Sequence, residues 1–116
     1  MKEKYIDEVS KDVEEDILSF NEKEKLIDLI SQIFKALSDP TRIKIIYALM
    51  KGPLCVSDIS VLLYMSQSSI SHQLALLRSQ SLIKVKRRGR RAYYSLDDEH
   101  VLSIFKDGLE LSLIHI

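Results

Sequence analysis

Gln67, Ser68, Ser71 and His72 crowd into one short stretch of this 116-residue chain. Their spacing sets them on one side of the segment if it is helical. Each carries hydrogen-bonding groups on a short arm, the equipment needed to read base edges in the major groove of DNA. A second group, Arg87, Arg88, Arg90 and Arg91, brackets Gly89 with fixed positive charge suited to phosphates. A third pair, Asp98 and His100, joins a carboxylate to an imidazole. On those two residues alone, a helix cap beside a solvated histidine and half of a divalent-cation site fit equally well. Cys55 is the only cysteine, so no disulfide closes within the chain, which is compatible with a reducing compartment. No hydrolase, nucleotide-binding or nucleophile-elbow motif accompanies Cys55, His72 and His100, so no enzyme is expected.

These groups need elements to hold them. Ser66 can cap a helix whose Ile70, Leu74 and Leu77 form one stripe while Ser68, His72 and Ala75 project from the opposite side. Before it, Cys55 to Leu63 reads as a short helix with Val56, Ile59, Leu62 and Leu63 on one face and Ser57 as its cap. A brief turn at Tyr64 and Met65 completes a helix-turn-helix pattern. From Leu82 the period becomes two, with Ile83 and Val85 alternating against Lys84 and Lys86, and this predicts a hairpin with the arginines at its tip. Asp97 and Asp98 open a last helix with Val101, Ile104, Phe105 and Leu109 on one side. Upstream, Asn21 with Glu24 forms a capping-box-like start for a helix carrying Leu26, Ile27, Leu29, Ile30, Ile33, Phe34 and Leu37 and ending near Ser38. Asp39 and Pro40 begin another at once, with Ile43, Ile46, Tyr47 and Met50 as its stripe, and Gly52 and Pro53 stop it. Residues 1–20, with Tyr5, Ile6, Val9, Val13, Ile17 and Leu18 among acids and lysines, form an acidic arm or an amphipathic helix.

Composition narrows the class. With 46% hydrophobic and 29% charged residues, three Gly and two Pro, the chain suits a mainly α globular domain, and at this size a second copy of itself is a ready source of further burial. No stretch approaches a membrane span and the acidic start is unlike a targeting peptide, so a cytoplasmic protein is expected. The net charge of zero hides a pattern: residues 1–30 hold ten acids and five bases, 31–96 two acids and eleven bases, and 97–116 five acids and one base. A basic centre between acidic flanks is the electrostatic footprint of a nucleic-acid surface, although a solvated charged face would look similar.

Three segments in this order, IFKALSDPTRIKIIYAL (33–49), SQSSISHQLALLRS (66–79) and YYSLDDEHV (93–101), resemble the ArsR/SmtB family of metal-responsive repressors. The resemblance implies a mainly α, dimeric winged helix-turn-helix with a small β-hairpin wing. Residues 21–110 would form the DNA-binding and dimerisation domain, with the first and last helices at the dimer interface. Gln67, Ser68, Ser71 and His72 would then stand on the recognition helix, and Arg87, Arg88, Arg90 and Arg91 on the wing. Tyr64 departs from the small or polar turn residue usual in relatives, which implies a slightly altered turn.

The resemblance also points to two sensory sites. Arsenic and cadmium sensors carry Leu-Cys-Val-Cys-Asp where this chain has Leu54-Cys55-Val56-Ser57-Asp58, so one thiolate is missing. Residues 1–30 hold no Cys or His to replace it, and Cys55 is expected to be a small buried residue. Zinc and cobalt sensors use an Asp and a His two residues apart, which Asp98 and His100 match. For both to meet one ion, Asp98 must sit at the helix start with non-helical geometry. Doubled by the partner chain, such a pair suits tetrahedral Zn(II) or another divalent metal ion. The partner half would fall at Leu111 and Ile114, and neither ligates a metal. Residues 111–116 break the helical spacing of the last helix, and LSLIHI is also the translation of a transposon-end adapter used in sequencing libraries. They are therefore read as a non-native tail after the domain at 21–110. The expected function is a homodimeric repressor released from operator DNA by an inducer, a divalent metal ion foremost. A same-fold regulator answering to a non-metal or redox signal, and a winged helix that meets only an acidic protein, stay open.

Overall fold

Side-chain caps set the ends of most helices in the computed structural model, which describes residues 9–116. The chain divides into two compact units, one through Ser31 and one from Gln32 onward. In the first, Ser10 accepts a hydrogen bond from the Val13 N–H at 3.4 Å and opens helix α1 (Lys11–Asn21). Helix α2 (Glu24–Ala36) begins in this unit and ends in the second. The capping box expected of Asn21 and Glu24 does not form. Asn21 is spent as the last residue of α1, and the Lys23 N–H turns back to the Phe20 carbonyl. Tyr5 and Ile6 of the expected arm lie outside the described residues.

The second unit opens with the end of α2 and then helix α3 (Pro40–Leu49). Asp39, in extended backbone, accepts from the Arg42 N–H at 3.1 Å, and Pro40 occupies the first position, where no N–H is needed. Strand β1 (Leu54–Cys55) and helices α4 (Val56–Leu63) and α5 (Gln67–Ser79) follow, then strands β2 (Ile83–Arg88) and β3 (Arg91–Leu96) and helix α6 (Glu99–Ile114). Ile45, Ile46 and Leu49 of α3 meet Ile59 of α4 and Ile70, Leu74 and Leu77 of α5, and Leu82, Ile83 and Val101 close this core.

Two stripes differ from expectation. In α3 the buried face is Ile45, Ile46 and Leu49, while Ile43 and Tyr47 are exposed, because that helix is apolar nearly all round and its periodicity selects no face. In α4 Ile59 is buried but Leu62 is exposed. The cap of α4 is Cys55 and not Ser57, with the Asp58 carboxylate accepting the Cys55 N–H at 3.4 Å.

The sheet is antiparallel in the order β1-β3-β2. The β2–β3 register runs from Ile83 opposite Leu96 to Arg88 opposite Arg91, which leaves Gly89 and Arg90 as a two-residue turn. Gly89 adopts φ 62°, the left-handed conformation that the first central position of such a hairpin demands. Tyr64 ends α4 at φ 55°, ψ 45°. A side chain other than glycine is strained there by about 1 kcal/mol. The Ser60 carbonyl holds the turn by accepting the Tyr64 and Met65 N–H groups, and the Ser60 hydroxyl donates to the Met65 carbonyl.

The spacing break expected at residues 111–116 does not end the last helix. α6 continues through Ile114, since nothing between Gly108 and the end bars helical backbone, and the alternating Leu111 and Leu113 simply become exposed.

Candidate nucleic-acid interface and metal-ligand pair

The Ser66 hydroxyl oxygen accepts from the Ser69 N–H at 3.1 Å and fixes where α5 starts. Because Ile70, Leu74 and Leu77 are drawn fully into the core, Gln67, Ser68, Ser71 and His72 are all left on the exposed side of the first turns. Free backbone N–H groups at that end and the positive pole of the helix favour nearby phosphate. Arg42 steadies this helix from behind. Its guanidinium donates to the Ala36 carbonyl, to the Lys35 carbonyl at 3.5 Å and to Oε1 of Gln73 at 3.2 Å, so one side chain joins the end of α2, the start of α3 and the middle of α5.

Arg87, Arg88, Arg90 and Arg91 are exposed around the hairpin tip. Pleating divides them: Arg88 and Arg91 are cross-strand partners on one face, and Arg87 shares the other with Ala92. Lys84 and Lys86 alternate in phase with Arg88 and lie with it along a shallow groove that includes Pro53, Tyr93 and Ser95. These two lysines were not singled out as site residues, although the period-two alternation around Val85 was the signal that puts them on the arginine side. The Asp58 carboxyl is held below its ordinary value by the hydrogen bonds that Cys55 donates from Sγ, at 3.1 Å, and from its N–H, with the charge of Arg91 adding to the effect. Cys55 is 4% exposed, a buried small residue, and its Sγ also lies 3.2 Å from the Ser57 hydroxyl.

Asp98 and His100 are brought together. Asp98 is the N-cap of α6 in extended backbone, φ −155° and ψ −177°, the non-helical geometry that the pairing requires. Its Oδ1 accepts from the N–H groups of His100 at 2.8 Å and Val101 at 3.3 Å, and lies 3.5 Å from His100 Nδ1. The Val101 hydrogen bond, with smaller help from His100, holds the Asp98 carboxyl below its ordinary value. The His100 side chain is 92% exposed. Two donors, one hard oxygen and one imidazole nitrogen, suit a divalent ion such as Zn(II) but fill half of a tetrahedral set. Among the described residues no group of three or more metal-ligating side chains converges. His115 follows the far end of α6, and Leu111 and Ile114 stand in its last turn, roughly 16 to 21 Å along the helix from His100 at 1.5 Å per residue.

The arrangement of helix, turn, helix and basic hairpin has close counterparts. Residues 39–85 match the family described as bacterial regulatory protein, arsR family. The chain is 38% identical over 95 residues to a transcriptional repressor SmtB homolog of Synechocystis sp., covering 82% of this chain and 69% of that one. It is 42% identical over 87 residues to a cadmium resistance transcriptional regulatory protein CadC homolog of Staphylococcus aureus, covering 74% and 69%. Among solved structures, the homodimeric winged helix-turn-helix DNA-binding domain of Mb0332 from Mycobacterium bovis superposes with a TM-score of 0.78 at 29% identity, covering 81% of this chain and 87% of that one. Core, cap and hairpin geometry therefore agree with sequence likeness, and the chain belongs to the ArsR family of bacterial regulatory proteins, winged helix-turn-helix transcription regulators and not enzymes.

Proposed function

We propose that this chain is a repressor that binds an inverted-repeat operator as a homodimer and is released by a divalent metal ion. The observation that carries the DNA half is the exposed polar face of α5, where Gln67, Ser68, Ser71 and His72 lie opposite the buried Ile70, Leu74 and Leu77. These four residues would read bases, and Arg87, Arg88, Arg90 and Arg91 would hold phosphates and position the domain. Dimerisation would cover the apolar groove of about 310 Å³ between Phe34, Leu37, Ile43, Ile104, Phe105 and Leu109, and the homodimeric Mycobacterium bovis neighbour supports this. A metal inducer is supported by the cadmium resistance regulator and by an arsenical resistance operon repressor of Bacillus subtilis, which is 35% identical over 88 residues. Asp98 and His100 would supply the carboxylate and imidazole, a donor pair suited to Zn(II). Two further ligands must come from elsewhere, and this half-set favours a second reading in which the same fold answers to another signal. No described helix is long and apolar enough to cross a membrane.

Footprinting of the purified protein on duplexes selected from a random library tests the assignment. Two protected half-sites about one helical turn apart, roughly 34 Å, are expected. Ser71→Ala with His72→Ala should weaken selected-duplex binding more than random-duplex binding. Arg88→Ala with Arg90→Ala should weaken both and flatten the salt dependence by about two phosphate contacts, a slope change of ~1.8. Absence of any sequence-dependent footprint at low salt would remove the repressor assignment.

A further inference from the structure

We propose that Tyr64 is a further DNA-contacting residue, seated against the phosphate backbone beside the groove that α5 enters; this rests on the assignment of α5 as the reading helix. Tyr64 is 96% exposed, yet it occupies the left-handed conformation of the turn between α4 and α5. Glycine is the residue that such a turn ordinarily takes, because it meets no steric penalty at positive φ. The turn itself does not depend on the tyrosine side chain. Its backbone is fixed by the Tyr64 and Met65 N–H groups on the Ser60 carbonyl and by the Ser60 hydroxyl on the Met65 carbonyl. No aromatic contact, cation contact or hydrogen bond of the Tyr64 side chain occurs among the described residues. An almost wholly solvated aromatic ring on a strained, hydrogen-bonded backbone has no evident work to do inside the fold, and backbone strain of this kind gathers at contact sites.

Its position identifies the occupant. Tyr64 lies two positions before the N-cap Ser66, so its Cα is within about 7 Å of the end of α5 that would face the bases. Free N–H groups there and the charge of the Arg87–Arg91 hairpin favour a polyanion over an apolar partner. The phenol matches that setting, with a hydroxyl that donates to a phosphate oxygen and a ring that covers the adjoining sugar. Such a contact contributes affinity and position without reading sequence.

The test compares thermal unfolding with affinity of the full chain for two probes, a duplex selected from a random library by the unaltered protein and a random-sequence duplex. Tyr64→Gly relieves the backbone strain and removes the side chain. It is expected to raise the unfolding midpoint by about a few degrees while lowering affinity for both duplexes about fivefold. Tyr64→Phe keeps the backbone and ring, and is expected to leave the midpoint unchanged and lose about half of that effect on a logarithmic scale. A residue that serves only the fold would move stability and affinity in the same direction, and that result would overturn the proposal. So would Tyr64→Gly binding within twofold of the unaltered protein, which would leave the ring to a protein partner. Ser71→Ala with His72→Ala separates the two levels. If that pair loses the selected duplex while Tyr64→Gly does not, α5 keeps its role and the tyrosine loses its own; if the pair binds normally, the α5 assignment fails and takes the tyrosine with it.

Discussion

The Asp98 carboxylate caps α6 through one oxygen that accepts two backbone N–H groups, and the same oxygen lies 3.5 Å from the His100 imidazole. Capping by itself therefore places the two donors side by side. The hydrogen bond from Val101 lowers the Asp98 carboxyl below the ordinary 3.8, as those from Cys55 do for Asp58. A carboxyl lowered on folding stabilises the folded state above its unfolded value, and that contribution disappears as pH falls below 3.8 through the lowered folded value. Asp98→Asn keeps a capping oxygen and removes the titration. The stability difference between the natural protein and this variant should therefore be constant above about pH 5 and shrink on acidification. Urea titrations at a series of pH values measure it, and a difference that stays constant down to pH 2 would show that Asp98 makes no contribution to the acid limb. The pairing of Asp98 with His100 was legible because residues two apart diverge on a regular helix, and an extended cap at position 98 turns them together. The role of Asp58 was not legible, since a thiol is a weak hydrogen-bond donor and nothing in the local sequence marks Cys55 as the partner of that carboxylate.

At the level of elements, legibility followed the chemistry of helix ends, except at Asn21, which ends α1, and at Ser57, where Cys55 takes the cap. Asp39 with Pro40, Ser66, and Asp98 all cap as their side chains dictate, because an N-cap is a local bond between residues two or three apart. Stripes were legible where one face alone is apolar, as in α5 with Ile70, Leu74 and Leu77. They were ambiguous in α3, where Ile43, Ile45, Ile46, Tyr47 and Leu49 surround the helix and tertiary packing makes the choice. Strand β1 left no trace, since two residues carry no period. Nor could local pattern reveal the Arg42 clamp, whose partner Gln73 lies 31 residues away. That clamp ties α5 to the end of α2. Arg42→Met keeps the aliphatic stem and deletes three donated bonds, leaving the Ala36 and Lys35 carbonyls without this partner. It should destabilise the protein by about 2 kcal/mol. Gln73→Leu, which breaks only the link to α5, should cost about 1 kcal/mol or less. Chemical denaturation distinguishes them, and equal losses would mean that the Gln73 bond carries the whole clamp.

Over the whole molecule, the charge pattern and the apolar faces point in different directions. The basic stretch 31–96 includes α5 and the hairpin, whereas α6 presents Ile104 and Leu109 beside Phe105 and carries few bases. Under the proposed dimer, Phe105→Asp should yield monomers that unfold early, because Phe105 is already half-buried against the core beside Tyr47 and a second copy would cover the rest, so a carboxylate there disturbs both. Sedimentation at micromolar concentration checks this, and an intact dimer would place the interface elsewhere. The same dimer sets up the last expectation. α6 stays helical through Ile114, and Leu111 and Ile114 are three residues apart, hence neighbours on one face, and both exposed. If two α6 helices cross antiparallel about a dyad near Lys106, the last turn of one lies opposite Asp98 and His100 of the other. Leu111→His with Ile114→Glu would then complete a set of one imidazole and one carboxylate from each end, four donors in all. Zinc should bind the unaltered protein weakly and the double variant at least about a hundredfold more tightly, with release from the selected duplex shifting to correspondingly lower zinc in the variant. Adding Asp98→Ala and His100→Ala to the variant should abolish the gain. A gain that survived their loss would mean that the new ligands bind zinc on their own, and no gain at all would reject the antiparallel crossing of the last helices.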